Sequence, residues 1–253
     1  MNLFVLLKQV PDTETKITVK SDGSGIEKGS VKWVVNPYDE FAIEEALKTK
    51  EKLKTGTVTA VAFGPDRVVE ALRTAVAMGC DEAVHVQGPE DADSFVVADS
   101  LAAYLKTANP SLVFMGKEAI DDGQAADVGL VAELLDYPSA TVVSKIDLGA
   151  DGKSATVERD IEGGTKHIVS LPLPAVLGLD KGINTPRYAP LPGIMRAKKK
   201  EIKKVAALAT TANTADSGYQ LPPDRPPGKK ITGDAAAQAH ELVRLLREEA
   251  KAL

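Results

Sequence analysis

Cysteine is almost missing from this chain: its 253 residues include only Cys80, which cannot close an internal disulfide. The apolar stretch between Met1 and Lys8 is too short for a secretory signal and has no Arg/Ser-rich transit character, so a cytoplasmic or equivalent reducing setting is expected. Aromatic residues make up only 4% while Ala and Val abound, which predicts an aliphatic core of the kind found in mainly parallel sheets covered by helices. No run approaches the ~18 apolar residues of a membrane span, and the chain is not read as membrane-embedded. Positive charge is in deficit: a net charge of -5 and a pI near 5.4 argue against nucleic acid as a partner. His85, His167 and His240 are scattered without ligand spacing, and no Gly-x-Ser-x-Gly elbow occurs, so neither a metal site nor hydrolytic chemistry is expected. Cys80, just after a helix-ending Gly79, reads as a small buried residue and not as a nucleophile.

What is present is a regular alternation of short aliphatic runs and amphipathic stretches. Strands are predicted at 3–7, 57–63, 83–86, 112–115 and 140–145, and helices at 36–54, 68–78, 94–107 and 127–135. Residues 15–20 with the Ser21-Asp22-Gly23-Ser24-Gly25 turn read as a hairpin or small excursion. The alternation predicts an α/β fold, a doubly wound and mainly parallel sheet whose ligands sit beyond the carboxyl ends of the strands at a switch point. After residue 146 the pattern changes to antiparallel strands at 146–148, 155–159 and 166–170, turning at Asp151-Gly152 and Gly163-Gly164, followed by 173–177. From Pro186 to Asp234 the chain is rich in Pro, Lys and small polar residues before a helical pattern resumes at Ala235. The expected division is an α/β nucleotide-binding domain with its antiparallel extension over 1–204, then a C-terminal arm and helix over 205–253 that needs a partner's surface.

The segment from Gly116 to Gly129 follows a predicted strand and enters a predicted helix. Its glycines permit close backbone approach, and the helix amino end offers free N–H groups to a phosphate. It is neither a P-loop nor a GxGxxG fingerprint, and a Gly/Asp loop of this kind is equally a plain connection. Asn36-Pro37-Tyr38-Asp39 also opens a helix, and on local evidence Asn36 reads as its cap. The one basic stretch, Arg187, Arg196, Lys198, Lys199, Lys200, Lys203 and Lys204, adjoins the loop Gly182-Ile183-Asn184-Thr185-Pro186. Such a run is usually a solvated face. Beside an exposed apolar residue it suits transient docking to an acidic partner.

With these stretches assembled, the chain resembles the beta subunits of electron transfer flavoproteins over almost its whole length. The resemblance is carried by Asn36 to Asp39 with Ala42-Ile43-Glu44-Glu45-Ala46, by Gly64-Pro65, by Arg73 to Gly79 and by Gly116 to Asp121. Val157-Glu158-Arg159-Asp160-Ile161-Glu162-Gly163-Gly164 and the run from Asn184 to Lys200 carry it most strongly. The resemblance implies an adenine nucleotide alpha hydrolase-like fold and an electron carrier subunit, not an enzyme. In the family a larger alpha subunit holds most of an FAD and the beta subunit carries AMP. The pair moves electrons from acyl-CoA or other flavin dehydrogenases to a quinone oxidoreductase or other acceptor.

Carried over residue by residue, the AMP contacts fall on Leu6, on Asn36, Pro37, Tyr38 and Asp39, on Phe63, and on Gly116, Lys117, Ala119, Asp121, Asp122, Gly123, Gln124, Ala125, Ala126 and Asp127. The partner-docking loop falls on Ile183, Asn184 and Pro186, with Arg187, Lys198, Lys199 and Lys200 beside it. The phosphate turn departs from the common pattern at Ala125 and Asp127, where the acidic side chain would repel a phosphate unless turned away. A bifurcating branch that binds a second FAD in place of AMP tends to read Asp-Gly-Asp-Thr-Ala-Gln-Val-Gly. Here Asp122-Gly123 and Val128-Gly129 match it while Ala125 and Asp127 do not, so AMP is the favoured ligand. A hydride-transfer or nucleotide-hydrolysing enzyme would need a dinucleotide fingerprint or a base and metal set. A nucleotide-sensing module would leave 159–200 without a role.

Overall fold

A computed structural model describes residues Met1–Leu253. The first strand, β1 (Asn2–Leu7), shows why the sheet is buried on both faces: Leu3, Val5 and Leu7 point to one side and Phe4 and Leu6 to the other, and all five are buried. A two-residue period with apolar side chains at every position can be satisfied only if helices cover both faces. β2 (Gln9–Pro11) and β3 (Trp33–Val35) form a small separate antiparallel pair. Between them the predicted excursion turns back on itself through a single Val19–Ile26 bridge.

The chain then alternates as predicted: α1 (Pro37–Leu53), β4 (Thr57–Gly64), α2 (Val69–Met78), β5 (Glu82–Gln87), α3 (Ser94–Ala108), β6 (Leu112–Gly116) and α4 (Asp127–Leu135). β7 (Ser139–Leu148), β8 (Ser154–Asp160), β9 (Lys166–Pro172) and β10 (Ala175–Leu179) follow, then α5 (Leu191–Lys199), β11 (Lys203–Ala206) and α6 (Ala235–Glu248). The nine-stranded sheet runs β11-β5-β4-β1-β6-β10-β7-β8-β9, parallel from β11 through β7 and antiparallel only at β7/β8 and β8/β9. Residues of α1, α2 and α5 pack in one core cluster and those of α3 and α4 in the other, so the sheet is doubly wound. β4 lies on one side of β1 and β6 on the other, and their connections leave in opposite directions. That divergence opens a crevice at the carboxyl ends of β1 and β6.

Four features differ from the sequence expectation. The runs 140–145 and 146–148 are one strand, β7, whose bulge around Val142 (φ 58°) shifts its register, so that one strand pairs parallel to β10 and antiparallel to β8. The run expected at 173–177 is β10, inserted between β6 and β7. Within the Pro- and Lys-rich stretch lies α5, which approaches α2 closely: a Cβ on Gly193 would stand 2.2 Å from the Ala77 carbonyl oxygen. Finally β11 spans the boundary expected at 204/205 and pairs with β5, because an edge strand needs backbone partners and no apolar pattern. α6 has no buried residue and leaves Leu242 and Val243 exposed. No helix is long and apolar enough to cross a membrane.

Candidate functional site

The crevice is walled by three segments held together by one buried carboxylate. Asp39, in the first turn of α1, accepts the Lys8 amide at 2.7 Å and the Gly116 amide at 2.8 Å, and so ties the ends of β1 and β6 to the start of α1. Burial raises its pKa to about 7 in spite of these amides. Gly116 is required by this closeness: an added Cβ would lie 2.5 Å from the Tyr38 Cβ and 2.7 Å from Asp39 Oδ1. Asn36 does not cap its helix, contrary to the local reading. Its amide donates to the Glu118 carbonyl oxygen at 2.9 Å and its Oδ1 accepts the Ile120 amide at 3.2 Å, which fixes the loop beyond β6. Pro37 at the start of α1 presets the backbone there, so the asparagine side chain is free for this tertiary role.

These segments border a cavity of about 850 Å³. Of the expected contacts, Leu6, Asn36, Asp39, Phe63, Gly116, Lys117, Ala119, Asp121, Asp122, Gln124, Ala125 and Asp127 line it, while Pro37, Tyr38, Gly123 and Ala126 do not, Gly123 and Ala126 being exposed on the surface instead. Lys8 Nζ reaches Asp121 at 2.8 Å and Asp122 at 2.7 Å, balancing the acidic turn. Burial alone would lower the Lys8 pKa, but together these two carboxylates hold it above the ordinary lysine value. No side chain caps the amino end of α4, which leaves its first amides open to a ligand. Asp127 is among the residues that border the cavity, its Oδ1 is buried without a hydrogen-bond partner, and burial raises its pKa.

Residues that the sequence reading passed over complete the lining. Arg67 stacks 3.5 Å above the Trp33 ring, donates to Gln9 at 2.7 Å and pairs with Glu90 at 2.6 Å. Lys8 carried a local signal, a lysine directly behind a buried strand; Arg67 carried none, since its partners are distant in sequence. Phe63 enters the lining because Gly88 leaves room for its ring, a Cβ there falling 2.1 Å from the ring edge.

The docking loop is differently built from the expectation. Ile183 is half-buried and packs on the core, and the Asn184 side-chain amide donates to the Phe41 carbonyl oxygen and to Glu45, both at 3.0 Å. Arg187 is not a free charge: its guanidinium forks onto Glu44 at 2.7 and 3.0 Å and onto Glu51 at 2.7 Å. Lys200 pairs with Glu82 at 2.7 Å. Pro186 is half-buried, while Lys198 and Lys199 are exposed beside Tyr188, Leu191 and Met195, whose exposures of 97%, 73% and 51% make the apolar part of this surface. Elsewhere, burial pushes the Cys80 thiol up to about 12, and no group of three His, Cys, Asp or Glu side chains is placed to hold a metal.

The fold and crevice together define an open, doubly wound α/β protein with a cavity of mixed polar and apolar lining at its switch point. The electron transfer flavoprotein domain model matches residues 25–210. The chain is 40% identical to the electron transfer flavoprotein subunit beta of Bacillus subtilis, with all of both chains covered. It is 39% identical to the mitochondrial electron transfer flavoprotein subunit beta of Arabidopsis thaliana over 99% of each chain, and 39% identical to the electron transfer flavoprotein subunit beta of Mus musculus over 97% of this chain and 99% of the other. The chain therefore belongs to the electron transfer flavoprotein family, in the beta-subunit branch.

Proposed function

We propose that this chain pairs with an alpha subunit and holds AMP in the cavity at the β1/β6 switch point. In this reading the heterodimer carries electrons from acyl-CoA or other flavin dehydrogenases to a quinone oxidoreductase or another acceptor. The observation that carries the AMP assignment is the convergence of Lys8, Asp39, Gly116 and the uncapped amino end of α4 on one cavity of about 850 Å³. These residues fit a nucleoside monophosphate: the uncapped amides of α4 can take the phosphate, Lys8 offsets the charge of Asp121 and Asp122 beside it, and Gly116 lets the segments that wall the cavity come close. FAD, when bound, supplies the one- and two-electron chemistry, and most of its contacts belong to the alpha subunit. This chain's share comes from the turn between β8 and β9, around Arg159 to Gly164. Residues 220–253, whose α6 is unburied, lie on the alpha subunit. Donor dehydrogenases dock at Ile183 and the exposed Tyr188, Leu191, Met195, Lys198 and Lys199 surface.

The test is to purify the complex, denature it and separate the released ligands by chromatography. One AMP and one FAD per heterodimer are expected. Two FAD and no AMP would assign the cavity to the bifurcating alternative, and an empty cavity would overturn both.

A further inference from the structure

The cavity has a wall that lies outside the contact segments described above. Beyond β11 the chain crosses α3: the Ala207 amide bonds the Gln87 carbonyl oxygen at 2.9 Å, the Leu208 amide bonds Ser100 Oγ at 3.2 Å, and the Thr210 hydroxyl bonds Asp99 at 2.5 Å. It then meets Asp93, the residue that caps α3. Oδ1 of Asp93 accepts the Val96 amide at 2.9 Å, while Oδ2 accepts the amides of Asn213 at 2.6 Å and Thr214 at 2.9 Å. Five residues later the Tyr219 amide bonds the Gly23 carbonyl oxygen at 3.0 Å, on the turn of the excursion between β2 and β3. From one anchor to the other, Thr214, Ala215, Asp216 and Tyr219 line the cavity. Past Tyr219 the chain's hydrogen bonds and ion pairs stay within 220–253.

We infer that residues 213–219 form a strap that belongs to the nucleotide site, closes the cavity over its ligand and must come off Asp93 before the nucleotide can leave. The inference rests on the reading of the cavity as an AMP site. Its physical basis is that the strap is held by a few polar anchors at its two ends and by no strand pairing or buried side chain between them. Segments of this kind open locally far below the global stability of the fold. The strap is also continuous with the tail that has no partner in its own subunit, so whatever binds residues 220–253 restrains it.

The experiment uses the full chain copurified with its alpha subunit, AMP as probe, and the Asp93→Asn variant. Asparagine is as good a helix cap as aspartate, so α3 keeps its start, but the anchor loses the charged oxygen that holds two amides. Bound AMP should exchange with labelled AMP about tenfold faster in the variant, with unchanged flavin content. Hydrogen exchange at the Asn213, Thr214 and Tyr219 amides should be slowed by AMP in the wild type and accelerated by the substitution. Thr210→Val, which removes the Asp99 anchor and leaves Asp93 intact, should shift AMP exchange in the same direction and serves if the first variant folds poorly. AMP exchange that stays at the wild-type rate while those amides exchange faster would overturn the strap and leave the AMP site standing. Strap amides indifferent to AMP would overturn it as well. Denatured wild-type complex that releases no AMP would overturn the proposed ligand and the strap together.

Discussion

Replacing Asp39 with alanine isolates the part of the site where burial and hydrogen bonding oppose each other. The substitution strands the amides of Lys8 and Gly116, which the carboxylate accepts at 2.7 and 2.8 Å. Each buried amide left without a partner costs about 1–3 kcal/mol, so roughly 2–6 kcal/mol of stability is at risk. Against this stands the cost of keeping the charge buried. Burial moves the carboxyl from 3.8 to about 7, a shift that corresponds to about 4 kcal/mol. Below the unfolded value both states carry the proton and that cost vanishes. As pH rises from there to about 7 the unfolded chain ionises first, and the folded state loses about 1.4 kcal/mol per pH unit. Above the folded value the loss is complete and constant. Alanine carries no proton, so the stability gap between wild type and variant should be widest in acid, narrow between about pH 5 and 7, and level off above about pH 8. Urea unfolding followed by circular dichroism of both proteins across that range measures the gap, and taking the difference removes the titration of every other carboxylate. A gap that widens as pH rises would show that the two amides outweigh burial and would refute the reasoning.

Gly116→Ala should destabilise the fold by about 1–3 kcal/mol and lower the nucleotide content of purified protein, because its Cβ meets Tyr38 and Asp39 Oδ1 at 2.5 and 2.7 Å; thermal unfolding with nucleotide quantitation checks both. Asp127→Asn should tighten AMP binding several-fold, most at high pH where the aspartate is ionised, as titration calorimetry at two pH values would read; equal affinities would place the phosphate elsewhere. Arg187→Lys should cost about 1–2 kcal/mol, since an ammonium cannot fork onto Glu44 and Glu51 at once, and unchanged denaturant midpoints would make the pair ornamental. Ile183→Ala should slow electron uptake from a donor dehydrogenase while leaving flavin content intact, measured by stopped-flow reduction; unaltered rates would remove the loop from docking.

The sequence by itself determined the alternation of elements, because the signal that sets it is local. Short continuous apolar runs such as Leu3 to Leu7, bounded by polar residues, read as strands covered on both faces, and the helical spacing of Phe41, Ala42, Ala46 and Leu47 reads as α1. The segments around the cavity were legible for the same reason, each lying directly after a strand or at a helix start. Only the tertiary structure decided what their side chains do. Asn36 looks like a cap in its own window, yet its partners, Glu118 and Ile120, lie more than eighty positions away along the chain. Arg187 looks like a free surface charge until α1 brings Glu44 and Glu51 to it. β11 and the segment after it carry no apolar pattern, since an edge strand is held by backbone bonds and the chain beyond it by the carboxylates of Asp93 and Asp99. Periodicity records which face of an element is buried. Polar partnerships between distant segments leave no period, and they exist only once the sheet has set the distances.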